Sequence, residues 1–255
     1  MAAAVISVLA VGNPLLAANP RYYHYAGVPK RVSYPNVLIT LTNTGYAVGY
    51  DEMRKNPAWV AYRLFKVDKA PKYPRPKKFI ADRRTRSKVR HEDYSGTGFD
   101  RGHMAPNYAI ATRYGPKAQT ETFYMSNIVP QKFRLNRQTW RLLEDLEANR
   151  YANKYGEIWI ITGPIYSPAD QLLPKGIEIP RSFYRIILDE LDGQPRVIAW
   201  EIPQDVEGNE PLDRFLVSVD RIESDTGLDF FSELEDEVEN RMERTVNKRM
   251  WGEGE

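Results

Sequence analysis

The stretch Tyr94 to Asn107, YSGTGFDRGHMAPN, sets Arg101 two residues before His103 behind a glycine-rich turn. A guanidinium grips phosphate through a planar fork of N–H donors, and an imidazole accepts a proton from water near neutral pH. These are two of the three parts of a site that hydrolyses a phosphodiester. The third is a hard divalent cation, which requires oxygen ligands. Downstream, in SNIVPQKFRLNRQTWRLLEDLE, Asn136 opens a helical pattern and Glu144 follows eight residues later. At about 100° per residue their side chains stand about 80° apart, on one broad side of a helix. An amide oxygen with a carboxylate behind it suits Mg²⁺, which dehydrates reluctantly and keeps most of its waters. Taken without the first motif, the same pair reads as a helix N-cap and a solvated carboxylate.

The chain has three histidines, His24, His91 and His103, too few for a zinc site built from several imidazoles. His24 and His91 read as surface residues; His103 is set apart by Arg101 and the glycine-rich approach. Cysteine is absent, which excludes disulfides, thiolate catalysis and cysteine-ligated zinc.

The elements that must position these residues follow from periodicity. Val37 to Tyr50 reads as two strands around Asn43-Thr44-Gly45, and Trp59 to Val67 as a strand rich in aromatic and β-branched residues. Asp68 to Gly98 is rich in Pro, Lys and Arg and reads as a long functional surface loop. Phe123 to Val129 is expected to be a strand closed by Pro130. Asn136 to Tyr155 is helical by pattern, with Trp140, Leu143 and Leu146 as its apolar stripe and Gly156 at its end. Strands are expected at Ile158 to Thr162, Phe183 to Leu188 and Val197 to Ile202, and helices around Phe215 to Asp225 and Phe231 to Met250. This mixture predicts an α+β fold, a mixed, mainly antiparallel central sheet flanked by helices. Residues 21–250 form the expected single domain, after an apolar N-terminal segment, residues 1–20. That segment suits either an atypical export signal, which favours a periplasmic or secreted protein, or an extended strap packed on the domain.

Composition is that of a soluble globular enzyme, with 42% hydrophobic and 27% charged residues and a net charge of +2. The distribution of charge says more than its sum. Lys66 to Arg90 is dense in Lys and Arg, with Asp68 and Asp82 its only acids, and it leads directly into the Arg101/His103 motif. A polyanionic substrate fits such a run, although a solvated basic loop would look the same.

The same residues carry a family resemblance. Asp100-Arg101-Gly102-His103, preceded by Tyr94, Gly96 and Gly98, resembles the DRGH signature of the DNA/RNA non-specific endonucleases, the ββα-metal group that includes endonuclease G. A second block agrees at Asn127, Pro130, Gln131, Leu135, Asn136, Trp140, Leu143 and Glu144, and weaker similarity extends the match over roughly Pro57 to Arg244. The resemblance implies a ββα-metal catalytic core with His103 as general base and Asn136 as the one direct protein ligand of Mg²⁺, with Mn²⁺ as a substitute. Glu144 would orient the ion's water shell and assist protonation of the leaving oxygen. Arg101 and Asn127 would shape the site, Asn127 by holding the motif strand or His103. Arg75 would be the transition-state arginine, with Arg83, Arg84 and Arg86 as alternatives in the same loop. The implied substrates are DNA and RNA, gripped by their phosphates, the implied products carry 5′-phosphate ends, and a homodimer occurs within the family. Two other readings stand beside it: a catalytically silent nucleic-acid-binding domain, and a phosphodiesterase for a small nucleotide.

Overall fold

The computed structural model describes residues 20–32, 37–167 and 171–252. The apolar segment Ala2 to Ala18 lies outside the described residues. In chain order the strands are β1 (Lys30–Arg31), β2 (Ile39–Asn43), β3 (Tyr46–Asp51), β4 (Asn56–Phe65), β5 (Asp100–His103), β6 (Ile128–Gln131), β7 (Glu157–Ile165), β8 (Ser182–Leu191), β9 (Gln194–Pro203), β10 (Leu216–Val217) and β11 (Leu228–Asp229). The helices are α1 (Asn107–Glu121), α2 (Trp140–Asp145), α3 (Ala152–Tyr155), α4 (Val219–Thr226) and α5 (Asp236–Glu243). Seven strands form one sheet in the order β10-β9-β8-β7-β4-β3-β2, and every neighbouring pair is antiparallel. The expected mainly antiparallel α+β fold is what the chain adopts.

Both faces of this sheet are covered, which explains the apolar run from Pro57 to Tyr62 in β4. Val60, Tyr62 and Leu64 point to one core, shared with Trp140, Leu143 and Tyr151 of the long helical segment. Trp59 and Ala61, the alternate residues, point to a second core with Ile222 of α4, Phe230 and Met242 of α5. The long segment is continuous from Leu135 to Tyr155, with α2 and α3 separated and preceded by two turns wound as π-helix, Leu135–Thr139 and Leu146–Tyr151. Such widened turns recur at functional sites.

Several expectations needed correction. Phe123 to Val129 is not a strand: Met125–Asn127 is a 3₁₀ turn, and the strand begins at Ile128 and runs through Pro130. Pro130 is tolerated because β5 and β6 form a two-stranded ribbon rather than the interior of the large sheet. The helix expected around Phe215 starts only at Val219, where the Ser218 side chain accepts the Arg221 N–H, because Leu216 and Val217 pair with β9. The last helix is confined to α5. His24 is buried rather than superficial, at 6% exposure, edge-on to Trp59. Helix α1 had no counterpart in the sequence reading, because Gly115, at φ +86°, and Pro116 kink it and interrupt its period.

One buried ion pair binds the layers. Arg185 of β8 and Glu147 of the helical segment are both fully buried, with Nη1 donating to Oε1 at 2.6 Å. The Tyr62 hydroxyl donates to the other Glu147 oxygen at 2.8 Å, Arg185 Nη2 donates to the Met104 carbonyl at 3.3 Å, and the guanidinium lies 4.2 Å from the Trp140 ring centroid. Removing one partner of such a pair strands the other charge in the core. Arg185→Met is therefore expected to cost about 3–5 kcal/mol, and Arg185→Met with Glu147→Leu to recover most of it, as read by urea denaturation. Equal losses in the single and double variants would show that the pair is not the unit that matters.

Candidate active site

Strand β5 carries the DRGH motif, and its pairing with β6 places every member. Asp100 opposes Gln131, Arg101 opposes Pro130, Gly102 opposes Val129 and His103 opposes Ile128. Gly102 is required by close approach: a Cβ there would stand 2.0 Å from the Gln131 Oε1. Gly96 and Gly98, at φ +75° and +81°, turn the chain into the strand.

His103 ends β5 at the floor of a cleft of about 410 Å³ lined by Arg75, Arg101, Asn107, Asn136, Arg141 and Glu144 among others. Its imidazole is 8% exposed and packs against Phe79 and Phe123, with centroids 5.3 and 5.0 Å away. Its carbonyl accepts the Trp140 indole N–H at 3.2 Å, and its Nε2 has no hydrogen-bond partner. Burial, and then the charge of Arg75, push its pKa down to about 3, so the ring is neutral and able to accept a proton across the physiological range.

Asn127 lies behind this floor rather than in the cleft. It is fully buried, its Oδ1 accepts the Ala105 N–H at 2.8 Å, and its Nδ2 donates to the carbonyls of Ala105 and Thr122 at 3.0 and 2.9 Å. It thus pins the chain that leaves His103. Arg101 lines the cleft but is anchored: Nε and Nη2 donate to the His91 carbonyl at 3.0 and 2.6 Å, and Nη2 also to Ser95 Oγ at 3.1 Å. His91, expected at the surface, is half-buried with its ring stacked on Phe79.

The oxygen donors stand across the cleft on the helical segment. Asn136 donates through Nδ2 to Asp100 Oδ2 at 2.9 Å, which fixes the amide and leaves its Oδ1 as the free acceptor. Arg137 completes the clamp with bonds of 2.8 Å to both Asp100 oxygens, and with Asn136 it holds that carboxyl below its usual range. Glu144 is half-buried, and burial, opposed by Arg185, pushes its pKa up to about 7. An amide oxygen held open by the Asp100 carboxylate, beside a carboxyl that a cation would return to its charged form, fits a hard divalent ion. Asn107, the first residue of α1, adds a buried Oδ1 with no hydrogen-bond partner.

Of the loop arginines, Arg75 reaches the cleft, 5.1 Å from the Phe123 ring centroid. Arg84 is turned away, bonded to Asp82, to Asn43 Oδ1 and to the Thr42 carbonyl, and neither Arg83 nor Arg86 lines the cleft. The structure therefore brings Arg75, Arg101, His103, Asn136 and Glu144 together and sets Asn127 behind them. Asn107, Arg137 and Arg141 line the cleft and were missed by the sequence reading. Their signal was proximity alone, since Asn107 lies four residues after His103 and Arg137 beside Asn136.

Several known proteins similar to this chain are nucleases. The chain is 31% identical over 247 residues to a nuclease of Nostoc sp., covering 91% of this chain and 85% of the relative. It is 29% identical to the mitochondrial nuclease 1 of Schizosaccharomyces pombe, covering 84% and 70%, and 29% identical to human mitochondrial endonuclease G, covering 77% and 70%. Among solved structures, a chain of the EndoG/EndoGI inhibitor complex superposes with a TM-score of 0.69 at 27% identity, over 79% of this chain and 89% of that one. The sequence model of the DNA/RNA non-specific endonucleases matches residues 30–237. The chain belongs to the DNA/RNA non-specific endonuclease family, a family of metal-dependent enzymes that hydrolyse nucleic acid.

Proposed function

We propose that this chain is a Mg²⁺-dependent, largely sequence-non-specific endonuclease of DNA and RNA that uses His103 as its general base and leaves 5′-phosphate ends. The observation that carries the reading is the cleft itself, where a neutral buried imidazole faces four arginines and the oxygen donors Asn136 and Glu144. Bound there, Mg²⁺ would supply Lewis-acid stabilisation of the charge that builds on the phosphate. The rest is done by side chains. His103 takes the proton of the attacking water, and Phe79 and Phe123 hold its ring while excluding bulk solvent. Arg75 and Arg141, which make no ion pair among the described residues, are available to the phosphate oxygens. Arg101, already bonded to the His91 carbonyl, acts mainly to fix the wall of the cleft.

Loose substrate choice follows from the same inventory. Guanidinium groups and a cation recognise phosphate, which carries no sequence information, and base readout needs side chains laid along a groove. A silent binding domain is disfavoured because the open acceptor of Asn136 and the unpartnered Nε2 of His103 serve no purpose in binding a polyanion. Dimerisation, and export directed by the apolar N-terminus, remain proposals from the sequence.

Cleavage of supercoiled plasmid and of an RNA transcript in Mg²⁺ should be abolished by EDTA and should fall about 10²–10⁴-fold in His103→Ala. Binding without cleavage by the unaltered protein would instead favour the silent domain. Activity on a minimal phosphodiester with none on either polymer would favour the small-nucleotide enzyme. Among the loop arginines, Arg75→Ala is expected to lower kcat about 10²–10³-fold. Arg84→Ala should leave kcat near the unaltered value and lower the melting temperature instead. The reverse ranking would move the transition-state role to Arg84. Followed by NMR, the His103 ring should show no titration between pH 5 and 8, because its lowered pKa keeps it neutral throughout that window. A midpoint near 6.5 would mean that the ring is solvated.

A further inference from the structure

A second group of ionisable side chains lies away from the cleft, on the opposite face of the sheet. Asp220 and Glu223 of α4 and Glu243 of α5 each offer one oxygen, and these oxygens lie within 4.8 Å of one another. Solvated acids often gather on a helix surface, and the acidic stretch from Glu233 to Glu243 reads that way in the sequence. Glu235, Asp236 and Glu237 are indeed exposed. Glu243 is not: it is 7% exposed, and its Oε1 has no hydrogen-bond partner. Burying an unanswered carboxylate oxygen is costly, so a group pointed into a cluster of its own charge calls for a counter-ion.

Among the described residues no side chain supplies one, and none of the three acids is in an ion pair. Arg221, on the same helix, is turned to Asp225, and Arg244 donates to Asn240. Lys30 acts on Glu239, while Asp229 and Glu239 add further negative charge around Glu243. Glu223 spends one oxygen, Oε1, on the Phe230 N–H at 2.8 Å, which holds that side chain in place and leaves Oε2 open.

We propose that the seam between α4 and α5 binds a hard divalent cation through Asp220, Glu223 and Glu243, and that calcium is the ion it fits. All three donors are carboxylate oxygens, the ligand type of hard cations. Ligand number then chooses between calcium and magnesium. Magnesium keeps several waters and takes one or two carboxylates, whereas calcium gathers six to eight oxygens, several of them carboxylate, in flexible geometry. The three carboxylate oxygens lie within 4.8 Å of one another, close enough to share one ion. The exposed side, at Asp220, leaves room for the waters that complete six to eight ligands. The ion would bridge two helices whose Ile222 and Met242 share one core, fastening α5 to the sheet. Its role is therefore structural, and it stands independently of the nuclease assignment.

Isothermal titration calorimetry and thermal unfolding with CaCl₂ test this in four proteins: the unaltered chain, Asn136→Ala, Glu243→Gln, and the two changes combined. Asn136→Ala weakens the cleft and should still bind one calcium, with a dissociation constant of about 10⁻⁴–10⁻³ M and a raised melting temperature. Glu243→Gln in that background should remove both signals, and alone it should leave plasmid cleavage within about twofold of the unaltered chain. Asp220→Asn, at an exposed position that cannot threaten folding, should weaken calcium about tenfold. No heat of binding in Asn136→Ala at about 10 mM calcium, or binding that Glu243→Gln leaves unchanged, would overturn the proposal. So would a melting temperature indifferent to calcium that climbs as pH falls from 8 to 6, because a shared proton would then be what neutralises the cluster.

Discussion

The site depends on a single buried guanidinium. Arg185 rises from the middle of the sheet, donates to Glu147 on the helical segment and to the carbonyl of Met104, and stacks on Trp140. Trp140 in turn donates its indole N–H to the carbonyl of His103. Sheet, helix and the end of the motif strand are thus joined through one planar cation, a task for which the rigid fork of arginine is suited and lysine is not. An apolar side chain of equal volume would bury as well, but it would not specify where the end of β5 lies relative to the helix that carries Asn136 and Glu144. The ion pair is best understood as a device of registry between layers, with stability as a secondary gain.

Burial on this scale also sets the electrostatics of the cleft. The same exclusion of water that keeps His103 neutral pushes the Glu144 carboxyl upward. Desolvation moves an imidazole down and a carboxylate up, so one physical cause produces a proton acceptor and a poorly charged ligand side by side. Arg185 opposes the rise at Glu144, and Arg75 reinforces the fall at His103. Arg185 from the core and Arg75 from the loop both favour the carboxylate, and Arg75 in addition disfavours the imidazolium.

What the sequence revealed divides along the range of the interactions. The DRGH strand and the helix bearing Asn136 and Glu144 were legible because each is a local pattern, a glycine-rich turn in one case and a stripe of Trp140 and Leu143 in the other. Phe123 was assigned to a strand because aromatic residues favour one, yet its ring is engaged with His103, Phe79 and Arg75 instead of a sheet face. Burial of His24 against Trp59 and the pairing of Arg185 with Glu147 join residues far apart in sequence, and no period reports them. Asn127 was expected to hold the motif strand or His103; its side chain bonds to Ala105, two residues beyond His103, a partner that only the fold identifies.

The basic loop shows how far a charge run can be trusted. Its positive residues read together as a grip for a polyanion, yet the fold divides them. Arg84 is committed to Asp82 and to the turn at Asn43, and the main-chain N–H groups of Arg86 and Ser87 are held by Glu52. Beyond the loop, Lys132 and Arg134 are paired with Asp205 and Glu207. What remains for a phosphate in the cleft is Arg75 from the loop with Arg141 from the helix, aimed by Phe123 on one side and by the helical segment on the other. A net charge of +2 is therefore no measure of affinity for nucleic acid in this fold. Many of its arginines are paired with carboxylates in the architecture, whereas Arg75 and Arg141, which are not so paired among the described residues, line the cleft.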